Sequence, residues 1–275
     1  DWKNQRNDMN LAFLPNTSLK NIFGVSQSRA RLSSELLIKM SSDYQEPVDM
    51  SDFFLNETQA QLQKAMFGFS DEFEQKTNKR IRDVFAGINT EYIDEFVNGA
   101  LKETKTSLGP ASGLFQSKDN LINIGNMILF AFAGHDTTGH TLTWLLYELC
   151  KNPVYKRRLI QEIDEYWLRN SEESYETFHE LPFMTQCITE TLRMWSALAN
   201  GTYRELERDE QIHGINDEMI TLEKGTYVQV MNWTRHRNPE LWKNPDIFNP
   251  DREFKDSEIW DHNGFGYYNL ESDRF

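Results

Sequence analysis

Apolar residues recur at helical spacing along most of this chain. Between residues 18 and 40, Leu19, Ile22, Phe23, Leu32, Leu36 and Leu37 follow a 3.6-residue period, which predicts a helix. Residues 52–67 carry Phe53, Leu55, Leu62 and Met66 mostly on one side and end at Gly68, and residues 78–101 read as one more helical stretch of mixed polarity. A segment with Gly109, Pro110 and Gly113 (residues 107–117) predicts a loop. The longest periodic run, residues 119–150, contains no proline. A helix of that length far exceeds the usual three to four turns or so, and is expected to cross the whole molecule. Pro153 opens a charged helix to Arg169, residues 171–180 form a polar connector, and residues 181–195 predict a further helix.

After Asn200 the pattern changes. Residues 212–220 and 226–230 have the composition of short strands around a Lys224-Gly225 turn. Residues 238–275 carry Pro239, Pro245 and Pro250 and are expected to be ordered loop. At the other end, residues 1–13 read as a short helix with Trp2 and Arg6 on one face. The expected fold class is mainly α with a small β element near the C-terminus. A chain of 275 residues is long enough for one large domain with a substantial core, expected over residues 1–275.

Composition narrows the function more than the fold. Against 29 basic residues stand 43 acidic ones, a net charge of −14, which argues against a nucleic-acid surface and its clustered cations. Cys150 and Cys187 are too few for a disulfide scaffold and point to a reducing compartment. Zinc-ligand spacing, a phosphate loop and a Gly-x-Ser-x-Gly elbow are missing, so no metal site is expected from the chain's own motifs. The sequence starts at Asp1 rather than Met and has neither a signal peptide nor an apolar run of membrane-spanning length, and it is expected to be a fragment.

Three clusters carry candidate chemistry. Ala133-Gly134-His135-Asp136-Thr137-Thr138 lies inside the longest helix, where Gly134 costs roughly 1 kcal/mol relative to alanine. Paired threonines and a charge in an apolar stretch break the helical rules in the way functional sites often do. Gly134 would allow a flat ligand close to the backbone, and Thr137 can bond back to a carbonyl near Ala133. Asp136 and Thr137 together could relay protons, although the six residues also suit a polar surface patch. Glu190 and Arg193 sit three apart on a helix, a pair worth only ~0.2–0.5 kcal/mol by itself and common in any chain of this length. Arg252, held in the proline-rich coil, could close a bidentate ion pair with Glu190.

In order, these segments resemble the cytochrome P450 family of heme-thiolate monooxygenases. Trp2-Lys3-Asn4-Gln5-Arg6 resembles the family's Trp-x-x-x-Arg helix, residues 133–138 its oxygen-activating motif, and Glu190 with Arg193 its Glu-x-x-Arg motif. Arg252 occupies the place of the arginine that completes that triad, and Tyr203-Arg204-Glu205 with Glu223-Lys224-Gly225-Thr226 resembles a strand region whose arginine reaches a heme propionate. The family's prolines after Glu-x-x-Arg are replaced here by Met194-Trp195-Ser196-Ala197, and residues 69–118 are short for its substrate-covering helices.

The resemblance implies an incomplete P450-like fold around a long central helix, heme b as cofactor, and an iron-ligating cysteine expected beyond the end of the chain. Cys150 and Cys187 read as core cysteines. It implies catalytic roles for Asp136 and Thr137, cofactor binding by Trp2, Arg6, Ala133, Gly134 and Arg204, and structural roles for Glu190, Arg193 and Arg252. A small organic substrate and an electron-donating partner, a reductase or a ferredoxin, follow, with a parent protein on the endoplasmic reticulum through an N-terminal anchor. The function so implied is insertion of one oxygen atom into an organic substrate, the isolated 275 residues being inactive. A degenerate, heme-free binding protein is the alternative.

Overall fold

The computed structural model describes residues 16–43, 47–88, 90–103, 109, 120–177, 180–214 and 216–252. The helix expected over residues 1–13 and nearly all of the 107–117 loop lie outside them. The described chain is mainly helical with a small β element, and it divides into two units.

The first unit comprises α1 (Asn16–Asp43), α2 (Met50–Gln61), α3 (Asp71–Phe85), α4 (Tyr92–Glu103), residues 120–146 of α5 (Asn120–Lys151) and residues 165–180. Asp49 starts α2 by accepting the amides of Ser51 and Asp52 on its side chain. A π-helical turn, Leu62–Met66, continues α2, and Gly68 at φ +69° ends it where its position predicts. Ser70 caps α3 through the amide of Phe73, and Asp71, Glu72 and Glu74 complement the positive end of the helix.

The single helix expected over residues 78–101 is two. Gly87, at φ +79°, turns the chain between α3 and α4. Both helices bury their apolar stripes in the same core, Ile81 and Val84 from α3, Phe96, Val97 and Ala100 from α4. The apolar period therefore runs on past the break, and only the Ala-Gly-Ile-Asn interruption marks it.

This core joins Phe67, Phe69, Met127 and Ala131 to those residues. Phe69 lies between the rings of Phe67 and Phe73, each centroid 5.1 Å away. Burial of one such side chain is worth about 1.5–3 kcal/mol, so these helices are held by packing more than by propensity. A polar layer flanks the core. Arg29 donates to Glu57 at 2.6 Å, and Asn78 bridges Glu74 at 2.8 Å and the carbonyl of Asn56 at 3.0 Å.

Helix α5, 32 residues long, meets α2 and its π-helical turn closely at two glycines. A side chain at Gly134 would meet Leu62 Cδ1 at 2.8 Å, and one at Gly139 would meet Leu55 Cδ2 at 2.8 Å and Leu55 Cα at 3.1 Å. Between them Thr58 Oγ1 donates to the carbonyl of His135 at 2.9 Å. Among the described residues no helix is long and apolar enough to cross a membrane.

The second unit takes residues 147–164 and the chain from Leu181 onward. It holds the end of α5, most of α6 (Pro153–Arg169), α7 (Pro182–Met194), four short strands and α8 (Asn232–Arg237). Pro182 is favourable at the start of α7, and the carboxylate of Glu162 caps that start by accepting the amides of Phe183 at 2.7 Å and Met184 at 2.8 Å. The strand expected over residues 212–220 is instead an antiparallel hairpin, β2 (Glu210–His213) with β3 (Met219–Leu222), turned by Gly214 and by Asp217 at φ +62°. β4 (Tyr227–Gln229) pairs with β1 (Tyr203–Glu205), so that Arg204 faces Val228 in register. β1 lies where the resemblance puts a strand region, although it is too short and too exposed for alternation to show it.

Alanine at two glycines of α5 separates propensity from packing. Gly125→Ala has open space around the new methyl group and is expected to stabilise the chain by up to ~1 kcal/mol. Gly139→Ala is expected to destabilise it by about 1–3 kcal/mol, because the methyl group meets Leu55 backbone. Urea denaturation of both variants checks the opposite signs.

Candidate functional site

The second unit contains a buried charge network. Arg193, near the C-terminal end of α7, donates from Nε to Glu190 Oε2 at 2.8 Å and from Nη2 to Oε1 at 2.9 Å, and both side chains are shut off from solvent. The remaining donors of Arg193 reach the main chain, Nη1 to the carbonyl of His236 at 2.6 Å and Nη2 to that of Pro245 at 2.8 Å. Arg252 Nε approaches Glu190 Oε1 at 3.3 Å, and the amide of Asn249 donates to the same oxygen at 3.0 Å. Arg252 also donates to the carbonyls of Lys243, Asn244 and Ile247. Trp242 packs beneath, its ring 5.2 Å from Arg193 Cζ and 5.9 Å from Arg252 Cζ. Glu190, Arg193 and Arg252 are thus together, as their motifs predict, but Arg252 meets Glu190 through Nε alone rather than in the expected bidentate pair, because its other donors are taken by carbonyls of the coil.

Cys187 lies one turn before Thr191 on α7, and its carbonyl accepts the Thr191 hydroxyl at 2.8 Å. The residue is fully buried, and burial, with Glu162 nearby, pushes its thiol up to about 12. A thiol so placed stays protonated at neutral pH. Cys150 is exposed near the end of α5, so the expectation of a core position holds for Cys187 and fails for Cys150. Cys150 falls on the solvent side of its helix, which cysteine's apolar character does not reveal.

The first unit carries residues 133–138, the segment that resembles an oxygen-activating motif. Met127, Ala131, His135 and Gly139 face the core, whereas Leu129 (60% exposed), Phe132 (44%), Ala133 and His140 form an uncovered stripe that also takes in half-buried Asp136 and Thr137. Thr137 Oγ1 donates to the carbonyl of Ala133 at 2.8 Å, the back-bond its position suggests. Gly134 lies against the end of the Leu62 side chain. His135 is buried against Phe85, its ring 5.4 Å from that ring, and Nδ1 lies 2.7 Å from the carbonyl of Ala131. Burial holds its pKa below the usual histidine value and keeps the ring neutral. His140, which the motifs do not include, stands 3.4 Å from Asp136. Its place four residues further along the helix is the sequence signal for that contact.

Arg204, in β1, is exposed. It donates to Thr202 Oγ1 at 3.0 Å and to the carbonyl of Tyr203 at 2.8 Å, and makes no ion pair among the described residues. Trp2 and Arg6 lie outside the described residues. Among these, no group of histidine, cysteine or carboxylate side chains could hold a metal ion.

The first unit thus holds an exposed stripe on α5 that ends in Asp136 and Thr137, and the second a charge-locked coil after a Glu-x-x-Arg helix. The family model described as Cytochrome P450 matches residues 115–268, more than half of the chain. Cytochrome P450 3A28 of Bos taurus is 33% identical over 135 residues, 49% of this chain and 25% of its own length. Cytochrome P450 3A19 of Capra hircus aegagrus is 31% identical over 129 residues, 47% of this chain and 56% of its own length. Cytochrome P450 4Z1 of Homo sapiens is 27% identical over 244 residues, 84% of this chain and 43% of its own length. The chain belongs to the cytochrome P450 family, and it spans well under two thirds of these curated relatives.

Removing one partner from a buried ion pair costs about 3–5 kcal/mol, because the other charge stays buried and unpaired. Arg193→Ala is therefore expected to abolish soluble folded protein, read by expression yield and circular dichroism. Arg193→Lys is expected to fail as well, since an ammonium cannot reproduce the planar fork on Glu190. In the native chain, an alkylating reagent at mildly alkaline pH is expected to modify Cys150 and leave Cys187, and to modify both in urea, with mass spectrometry as the readout.

Proposed function

We propose that the full-length protein is a heme-thiolate monooxygenase that inserts one oxygen atom from dioxygen into a small organic substrate. The observation that carries this reading is the α5 stripe, apolar at Leu129, Phe132 and Ala133 and polar at Asp136 and Thr137. Such a surface suits a flat apolar cofactor whose chemistry requires protons. Heme with a cysteine thiolate as its ligand would supply the chemistry of dioxygen cleavage. The burial of Cys187 and the place of Cys150 on α5, roughly 20 Å along the helix from Thr137, favour a thiolate from outside these 275 residues.

By the resemblance, Ala133 would admit the cofactor, and Arg204, Trp2 and Arg6 would neutralise its carboxylates. Gly134 serves the site by seating α5 on Leu62. The hydroxyl proton of Thr137 is engaged by the Ala133 carbonyl, so Oγ1 is left as an acceptor and orients the proton of a water on the stripe. Asp136, part exposed beside it, exchanges protons with solvent and passes them inward. Glu190, Arg193 and Arg252 position the coil. Electrons come from a reductase or ferredoxin partner.

The reduced, carbon monoxide-treated full-length protein is expected to give a thiolate-type heme spectrum. An unchanged spectrum, with no heme taken up, would overturn the proposal in favour of a binding protein without oxidase chemistry. In the active enzyme, Asp136→Asn is expected to slow product formation by roughly a hundredfold, and Thr137→Ala to divert a larger share of electrons into hydrogen peroxide.

A further inference from the structure

The second unit has an open cleft of about 370 Å³ between β1, β4 and the start of α8. Its polar lining is cationic: Arg204 from β1 and Arg235 from α8, with Thr202 and Asn232 beside them, and no carboxylate among the lining residues. The neutral members are already committed. Asn232 Nδ2 donates to the carbonyl of Leu198 at 2.9 Å, and Thr202 Oγ1 accepts from Arg204 Nη1 at 3.0 Å. That second bond, with the one to the Tyr203 carbonyl, uses Nη1 of Arg204 and leaves Nε and Nη2 for a further acceptor. Arg235 makes no ion pair among the described residues.

Two guanidinium groups in one cleft repel each other, and in a chain of net charge −14 many other arginines have carboxylate partners, as Arg29, Arg80, Arg158 and Arg193 do. Leu198, Val228 and Val230 supply apolar walls, which lower the local dielectric and strengthen any charge-assisted bond made there. A cleft with two unneutralised forks and apolar sides fits the carboxylate arm of a largely apolar molecule better than a free, fully hydrated anion.

We infer that Arg235 acts with Arg204 as a second cation for a carboxylate of the bound heme. The inference rests on the monooxygenase reading above and adds a residue that the Tyr203-Arg204-Glu205 motif does not contain. Arg204, ordered by Thr202 and Tyr203, takes one carboxylate oxygen, and Arg235 closes on the other from α8.

The test is heme loss from the full-length protein to excess apomyoglobin, compared for native heme and for heme dimethyl ester, whose propionates carry no charge. With native heme, Arg235→Gln is expected to speed loss roughly tenfold, as for removal of one hydrogen bond to a charged group, and Arg235→Lys to speed it less. With the dimethyl ester, the Arg235→Gln and parent proteins are expected to lose heme at the same rate. Equal rates with native heme, or an equal penalty with both hemes, would overturn the inference while leaving the monooxygenase reading intact. A protein that takes up neither heme would overturn both. Arg204→Gln, run in parallel, is expected to speed loss of native heme as well. If it alone does so, Arg204 acts without a second cation and the role of Arg235 is overturned.

Discussion

The buried pairing of Glu190 with Arg193 is the interaction on which the second unit depends. Both charges are withdrawn from water, which is tolerable only because every strong donor and acceptor finds a partner. Arg193 divides its fork between Glu190 and the carbonyls of His236 and Pro245. Glu190 in turn receives Arg252 and the amide of Asn249. A pair three residues apart on one helix would be worth little on the surface. Buried, and bonded to a coil 52 residues downstream at Pro245, it becomes the anchor of that coil.

Most acceptors in the anchor are main-chain oxygens. The coil's route is thus fixed by its backbone and by Arg252, while the side chains along it remain available for other contacts, as Trp242 shows by packing under both guanidinium groups. A neighbouring acid plays the complementary part at the opposite end of α7, where Glu162 takes up amides that the helix leaves unpaired. Basic charge at one end and acidic charge at the other agree with the helix dipole.

The helices are largely legible in the sequence, and the reason is physical. The apolar period of α1, α2 and α5 is long enough to stand out, and Gly68 and Pro153 mark ends that the backbone respects. What stays hidden is decided by backbone geometry or by partners remote in sequence. Gly87 splits a continuous period into α3 and α4 without disturbing it. The strands are three or four residues long and mostly exposed, too short for alternation to show. At the site, the pairing of Glu190, Arg193 and Arg252 is legible from motif order, and the Thr137 bond from its place in a helix. At Gly134 the close neighbour is Leu62, which nothing near it in sequence announces. Cys150 likewise reads as apolar and lies on the outside.

Leu62 and Leu55 enter α5 at Gly134 and Gly139, and Thr58 bonds to the carbonyl of His135 between them. The two helices are therefore keyed, like a splined shaft in its sleeve. Rotation of α5 about its axis would replace the two glycines by larger residues and press on Leu62 and Leu55. The easier way to open this seam is to part the helices, because turning one against the other meets the two leucines first.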